Sequence, residues 1–257
     1  MASLNGLVAF VSGGASGLGK ATLIHLLKKG ARACYAFDKQ ALSLDQDYGT
    51  QVGSARGDIR SEDDVKQALD DCVSKFGKID AIINCAGVGI AFRVFNFNRN
   101  APHALKDFKD VIEINTVGTF NVTRLAVKHL CANSPDSVNN LRGVIINTSS
   151  CASTDGMSGQ CAYAASVGAI NSMTLPIARD LSSYGIRCVT VSVGYFLTPS
   201  LASIPQDVRD YIGQCCISPN QIGDPKDYAM LIESIILNSY INGNVIKLDA
   251  GFKNYYI

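Results

Sequence analysis

One stretch constrains the chain more than any other: Val8-Ala9-Phe10-Val11-Ser12-Gly13-Gly14-Ala15-Ser16-Gly17-Leu18-Gly19. An apolar run of strand length meets the spaced glycines Gly13-x3-Gly17-x-Gly19, and a helical pattern (Leu18, Ala21, Ile24, Leu27) follows at once. Glycines let the backbone turn sharply and approach a pyrophosphate, while the unpaired amides of a helix start face the anion. A plain tight turn would use the same glycines, so context decides, and here a strand precedes and a helix follows. Gly13, Ser16, Gly17, Leu18 and Gly19 are therefore candidate cofactor contacts. A second apolar run, Ala31 to Phe37, ends in Asp38. That acid stands roughly 20 residues past the glycines, where a carboxylate accepts ribose hydroxyls and repels a 2′-phosphate. This favours NAD over NADP, although the neighbouring Lys39 pulls the other way.

Strand-like and helix-like segments alternate for the rest of the chain, which implies α/β architecture: a single-domain, doubly wound parallel sheet over residues 1–257. Ligands are then expected at the carboxyl ends of the strands. The reading places a short helix around Leu42–Asp47, a weak strand at Gln51–Arg56 and a helix from Ser61 to Phe76, stopped by Gly77. A buried strand follows at Ile79–Ile83, and a polar loop at Arg93–His103 is long enough to be functional. A long helical region at Leu105–Ala132 has Ile112, Leu125 and Val127 facing inward. Further strands fall at Gly143–Ser150, Ile186–Val193 and Asn244–Leu248, and further helices at Cys161–Leu181 and Pro225–Leu237. Leu201, Ile204, Val208 and Ile212 at helical spacing mark a small lid within residues 197–222, before an aromatic tail from Phe252 to Ile257.

Bulk properties exclude more than they select. A formal charge of +1 gives no electrostatic case for nucleic acid or an anionic membrane. Nine cysteines without a C-x-x-C pair, most in apolar runs, read as reduced thiols and not as disulfides or a zinc site. The three histidines lack ligand spacing, so no metal is expected. No apolar run reaches membrane-spanning length.

Several polar residues fall where strands end. Asp58 is either turn chemistry before a helix cap or, beside Ile59, a contact for an adenine amino group. In Asn84-Cys85-Ala86-Gly87, small residues permit close backbone approach to a cofactor. Asn115 is a polar residue in an apolar stretch, suited to a satisfied buried amide. Ser149 and Ser150 suit strand-end hydrogen bonding, and Tyr163 suits packing on an amphipathic helix.

Taken together, Gly13-x3-Gly17-x-Gly19, Asn84-Cys85-Ala86-Gly87, Asn115, Ser150 thirteen residues before Tyr163, and Thr198-Pro199 resemble the short-chain dehydrogenase/reductase family. Residues 143–148, 173–180, 222–225 and 242–249 extend the resemblance over most of the chain. It implies an NAD(H)-dependent oxidoreductase interconverting a secondary alcohol and a ketone, of 3-hydroxyacyl-CoA or hydroxysteroid type. By the same resemblance Ser150 polarises the substrate oxygen, Tyr163 transfers the proton, and Asn115 holds a water in a proton relay. Gly13, Ser16, Gly17, Leu18, Gly19, Asp38, Asp58, Ile59, Cys85, Ala86, Gly87, Tyr163, Phe196 and Thr198 line the NAD site. Also implied are a lipid-like or acyl-CoA substrate, a homotetramer and a mitochondrial location, with the cytoplasm as the alternative.

The chain departs from the family where it matters most. The active-site helix of the family reads Tyr-x-x-x-Lys, and here Val167 stands at the lysine position. Ser12 and Ser192-Val193 are smaller departures. A free tyrosine titrates near pH 10, and bringing it to neutrality is a shift worth roughly 4 kcal/mol. A neighbouring ammonium supplies that bias, and an isopropyl group does not. Tyr163 then suits carbonyl reduction, where it starts protonated, and oxidation is expected to be slow below about pH 9. Either a cation arrives from elsewhere in space or activity is impaired. If impaired, the chain is alternatively a cofactor-binding scaffold, for example in a mitochondrial RNA-processing complex, with nucleic acid contacted only indirectly.

Overall fold

Strands buried at every position build the centre of the molecule. The computed structural model describes residues 3–253. Its first half runs β1 (Val8–Ser12), α1 (Gly17–Lys28), β2 (Ala33–Asp38), β3 (Val52–Arg56), α2 (Glu62–Phe76) and β4 (Ala81–Asn84). A small hairpin follows, β5 (Phe95–Asn96) with β6 (Ala101–Pro102), then α3 (Leu105–Ile112) and α4 (Thr119–Cys131). The second half comprises β7 (Gly143–Ser150), α5 (Cys161–Asp180), β8 (Ile186–Val193), α6 (Pro199–Ala202), α7 (Gln206–Gln214), α8 (Pro225–Leu237) and β9 (Val245–Leu248).

Seven strands form one sheet in the order β3-β2-β1-β4-β7-β8-β9, and every pair in it is parallel. Each residue of β1, β4 and β8 is buried, as expected of strands covered on both faces. Ala9, Val11, Ile83, Ile146 and Val191 pack on one face with Leu23 and Leu26 of α1 and Ile232 and Ile236 of α8. Phe10, Tyr35, Ile82, Ile145 and Cys188 pack on the other with Leu69 and Phe76 of α2 and Val122 and Leu130 of α4.

The chain leaves β1 in one direction toward β2 and returns on its other side as β4, so a crevice opens above the β1/β4 boundary. A buried polar ladder fixes the register there. Ser12 Oγ donates to Asn84 Oδ1 at 3.1 Å, and Asn84 Nδ2 donates to Asn147 Oδ1 at 2.9 Å. A slip of one residue would bury these groups unpaired.

Helix ends follow their sequence signals. Ser61 accepts from the Asp64 amide at the start of α2, and Gly77 ends it at φ +81°. Asp224 and Asp227 form a capping box around Pro225. Elsewhere the structure corrects the sequence reading. Residues 42–47 hold no helix; Asp47 Oδ1 accepts the Gly49 amide at 2.7 Å, a local bond that competes with helix formation, and only a 3₁₀ turn at Gly49–Gln51 forms. The polar loop contains the β5–β6 hairpin. The long helix is interrupted by a π-helical turn at Glu113–Gly118, and the buried apolar residues beyond it are Val122, Ala126 and Leu130; Ile112, Leu125 and Val127 are only partly covered. The lid is two short helices, because Pro205 follows Ser203 and Ile204 and cannot continue α6. Phe252 is buried, whereas residues 254–257 of the aromatic tail lie outside the described residues.

Candidate active site

The glycine turn is shaped by contacts that exclude side chains. Gly13 has φ +71°, and a Cβ there would lie 2.6 Å from the Ala86 amide nitrogen. A Cβ on Gly19 would lie 2.2 Å from the Gly13 carbonyl oxygen. At Gly17, with φ +51°, the nearest atom to such a carbon is Thr198 Cγ2 at 3.2 Å. The first turn of α1, the end of β4 and the start of α6 therefore meet at one place above the sheet. Ser16 is extended and its side chain caps nothing, which leaves first-turn amides of α1 for an anion. Leu18, in the first turn of α1, packs against the core.

Asp38 closes the adjoining corner. Its Oδ2 accepts the Ala15 amide at 3.0 Å, tying the end of β2 to the glycine turn, and its Oδ1 accepts the Gln40 amide at 3.0 Å. Lys39 pairs with Asp58 at 3.0 Å and not with this carboxylate. Asp58 also pairs with Arg60 at 2.6 Å, and Arg60 holds its carboxyl well below the usual range. Ile59 is buried against Gly118, and its carbonyl accepts from Asn121 Nδ2 at 2.8 Å. These contacts give Asp58 and Ile59 structural roles beside the crevice.

The turn after β4 forms the floor. The Cys85 amide donates to the Ser12 carbonyl at 2.9 Å, and Gly87 faces Asn115, where a Cβ would lie 3.2 Å from Oδ1. The Phe196 ring packs edge-on against Tyr228 and is buried, so only its backbone is left for a ligand. Thr198 caps α6 by accepting the Leu201 amide at 3.4 Å.

Ser150 and Tyr163 come together as their spacing suggests. Ser150 ends β7 and accepts the Ala152 amide at 3.2 Å, and it lies beside Tyr163 in the first turn of α5, near enough to favour the phenolate. Burial raises the Tyr163 pKa above the usual tyrosine value, and the nearby Ser150 hydroxyl offsets only part of that rise. Asn115 holds α5 to the floor: its Oδ1 accepts the Val88 amide at 2.8 Å, and its Nδ2 donates to the Val88 carbonyl and to Ser166 Oγ. Ser166 Oγ in turn donates to the Tyr163 carbonyl at 2.7 Å. Both amide hydrogens of Asn115 are thus taken by protein atoms, which makes it a strut between floor and helix. Val167 is 3% exposed, and its carbonyl accepts from Ser149 Oγ at 2.9 Å. Among the described residues no ion pair or hydrogen bond brings a lysine or arginine to Tyr163, so no surrogate cation takes the lysine's place.

Three groups escaped the sequence reading. Ser166 sits between Tyr163 and Val167, and a small hydroxyl on the buried face of a helix was the available signal. Beneath the floor, the Thr148 and Tyr228 hydroxyls lie 2.7 Å apart and the Cys85 thiol lies 3.5 Å from Tyr228. Nothing local links Tyr228 to strands more than seventy positions earlier. Tyr195 points its hydroxyl at Met157 at 2.9 Å, and burial pushes its pKa up to about 12.

Comparison with known proteins agrees with this geometry. The family model described as short chain dehydrogenase matches residues 7–209. The chain is 45% identical to 3-hydroxyacyl-CoA dehydrogenase type-2 of Drosophila melanogaster over 248 residues, covering 96% of this chain and 97% of that protein. It is 43% identical to the Homo sapiens protein of the same name over 257 residues, covering 98% and 97%. The crystal structure of 3-hydroxyacyl-CoA dehydrogenase type-2 from Mycobacterium avium superposes with a TM-score of 0.91 at 31% identity, covering 97% of each chain.

Proposed function

This chain belongs to the short-chain dehydrogenase family, and from that premise we propose that it interconverts a secondary alcohol and a ketone of 3-hydroxyacyl-CoA type using NAD(H). The observation that carries the reading is the Ser150–Tyr163 pair beside a glycine turn in which side chains at Gly13 and Gly19 would clash. The cradle fits a dinucleotide: α1 amides and the glycine backbone would hold the pyrophosphate, and Asp38 would take the adenosine ribose, which favours NAD. When bound, that cofactor supplies or accepts the hydride.

The chain's own residues manage the proton. Ser150 donates a hydrogen bond to the substrate oxygen, and Tyr163 donates its phenolic proton as the ketone becomes an alcohol. The raised pKa keeps Tyr163 protonated at neutral pH, the form that reduction needs. Oxidation needs the phenolate, which Val167 does nothing to stabilise. The equilibrium constant fixes the ratio of kcat/KM in the two directions at any pH. Val167 therefore moves the pH at which each limb of the rate profile breaks, and it leaves the equilibrium untouched. The apolar side chains of Leu201, Ile204 and Ile212, packed in one cluster beside the site, suit an acyl chain.

Exposed apolar residues on α3 and α4 (Leu105, Phe120) and on α8 and β9 (Met230, Val245) support a homotetramer. Mitochondria are the location in keeping with the resemblance. Val167 favours a second reading, a scaffold that binds cofactor and turns over slowly or not at all. Mixing purified protein with NADH and acetoacetyl-CoA, and following loss of reduced-nicotinamide absorbance, separates the two. Turnover lost in Tyr163→Phe supports the enzyme, whereas tight NADH binding without turnover supports the scaffold.

A further inference from the structure

At the opposite end of the sheet, below the amino ends of β1, β4, β7 and β8, lies a cavity of about 200 Å³. Its charged lining is Lys78, Asp80, Asp136, Arg142 and Arg187. Both carboxylates are already satisfied. Asp80 pairs with Lys78 at 2.9 Å and accepts the Val8 amide at 2.8 Å. Asp136 accepts the amides of Val138, Asn139 and Leu141. The two guanidinium groups, like Asp136, have only neutral partners. Arg142 donates through Nε to the Asn133 carbonyl at 3.1 Å and through Nη1 to the Tyr184 carbonyl at 3.0 Å; its Nη2 has no hydrogen-bond partner among the described residues. Arg187 is 3% exposed, and its Nη atoms donate to the carbonyls of Ile236, Asn238 and Ile241 at the end of α8. Its buried Nε has no partner among the described residues.

A buried guanidinium paired only with carbonyls is an uncompensated charge, and carbonyl dipoles offset only part of its desolvation. Arg187 is such a group, and the half-buried Arg142 faces the same cavity; with Lys78 they set three positive charges in the lining against the two carboxylates of Asp80 and Asp136. We infer that this cavity binds a small tetrahedral oxyanion, a phosphate or sulfate group, contacted by Arg142 and Lys78 and held in the field of Arg187. The site is separate from the glycine turn, which lies at the carboxyl ends of the same strands, and it does not depend on the reaction proposed above.

The test is thermal melting of the full chain with excess NADH, titrated with inorganic phosphate and, in parallel, with sodium chloride at matched ionic strength. Phosphate is expected to raise Tm saturably while chloride does not. Arg142→Gln is expected to raise the half-saturating phosphate concentration at least tenfold, and Arg142→Lys to keep most of the response. The comparison reads a shift within each variant, so a lower starting Tm in Arg142→Gln does not obscure it. If NADH fails to bind, the glycine turn stays open to phosphate, but Arg142→Gln still isolates the cavity at the other end of the strands. An equal response to chloride, or an undiminished response in Arg142→Gln, would overturn the inference and mark the cavity as merely hydrated.

Discussion

Placing lysine at position 167 should move the pH profile of the reaction by a calculable amount. The side chain would enter a position that is 3% exposed, one helical turn beyond Tyr163, whose phenol is destabilised as an anion by burial. At an effective dielectric constant of about 20, an ammonium roughly 4 Å from the phenolate is worth about 4 kcal/mol. That corresponds to about 3 pKa units. Desolvation of the new lysine takes back part of this, so a fall of one to three units is expected, on the order of tenfold per unit in phenolate fraction. In the wild-type chain, kcat/KM for alcohol oxidation should climb tenfold per pH unit to beyond about pH 10 without a plateau, because the free tyrosine value already lies there. In Val167→Lys the plateau should begin one to three units lower, and the reductive limb should start to fall at that same lower pH. Initial rates with acetoacetyl-CoA and NADH, and with the matching 3-hydroxyacyl-CoA and NAD, measured from pH 6 to 11, provide both limbs. A wild-type plateau near neutrality, or identical break points in the two proteins, would refute the reasoning.

Tyr163→Phe should abolish reduction while leaving NADH binding within a few-fold, read as nicotinamide fluorescence in a chain that contains no tryptophan. Gly19→Ala, whose Cβ would fall 2.2 Å from the Gly13 carbonyl oxygen, should eliminate saturable NADH binding in the same titration. Asp38→Ala removes the carboxylate that orders the Ala15 amide; its NADH affinity should drop about tenfold or more, by the loss of a charge-assisted bond, and its preference over NADPH should narrow in parallel titrations. Tyr228→Phe leaves Thr148 and Cys85 without their shared hydroxyl and should cost about 1 kcal/mol in urea unfolding.

The sequence exposes the fold most clearly where apolar periodicity and caps agree. β1 and β4 are apolar runs up to their last residue, and Ser61, Gly77 and Pro225 mark helix ends by their own chemistry. Legibility fails where a local bond outcompetes propensity, as at Asp47, or where one π turn shifts the phase of a helix, as at Glu113–Gly118. At the site, the glycines, Asp38, Ser150 and Tyr163 stand out because each needs one residue type at one spacing. Asn115 stands out too, but its bonds to Val88 and Ser166 make it a strut, a role that spacing alone does not reveal. Asp58 is legible as polar turn chemistry, while its pairing with Lys39 and Arg60 depends on how β2 and β3 align. The Cys85–Thr148–Tyr228 cluster is invisible in sequence because it joins β4, β7 and α8 only in three dimensions.

The ionisation of Tyr163 itself is the most direct quantity to measure. With tyrosine labelled by carbon-13 at the ring carbon bearing the hydroxyl, and the Tyr163 signal assigned by its absence in Tyr163→Phe, an NMR pH titration reports the phenol without any need for turnover. The account expects that signal to stay at its neutral-phenol position to above about pH 10 in the wild-type chain and to titrate lower in Val167→Lys. A wild-type phenol that ionises near pH 7 would contradict it, because a positive charge would then have to lie where the structure places none.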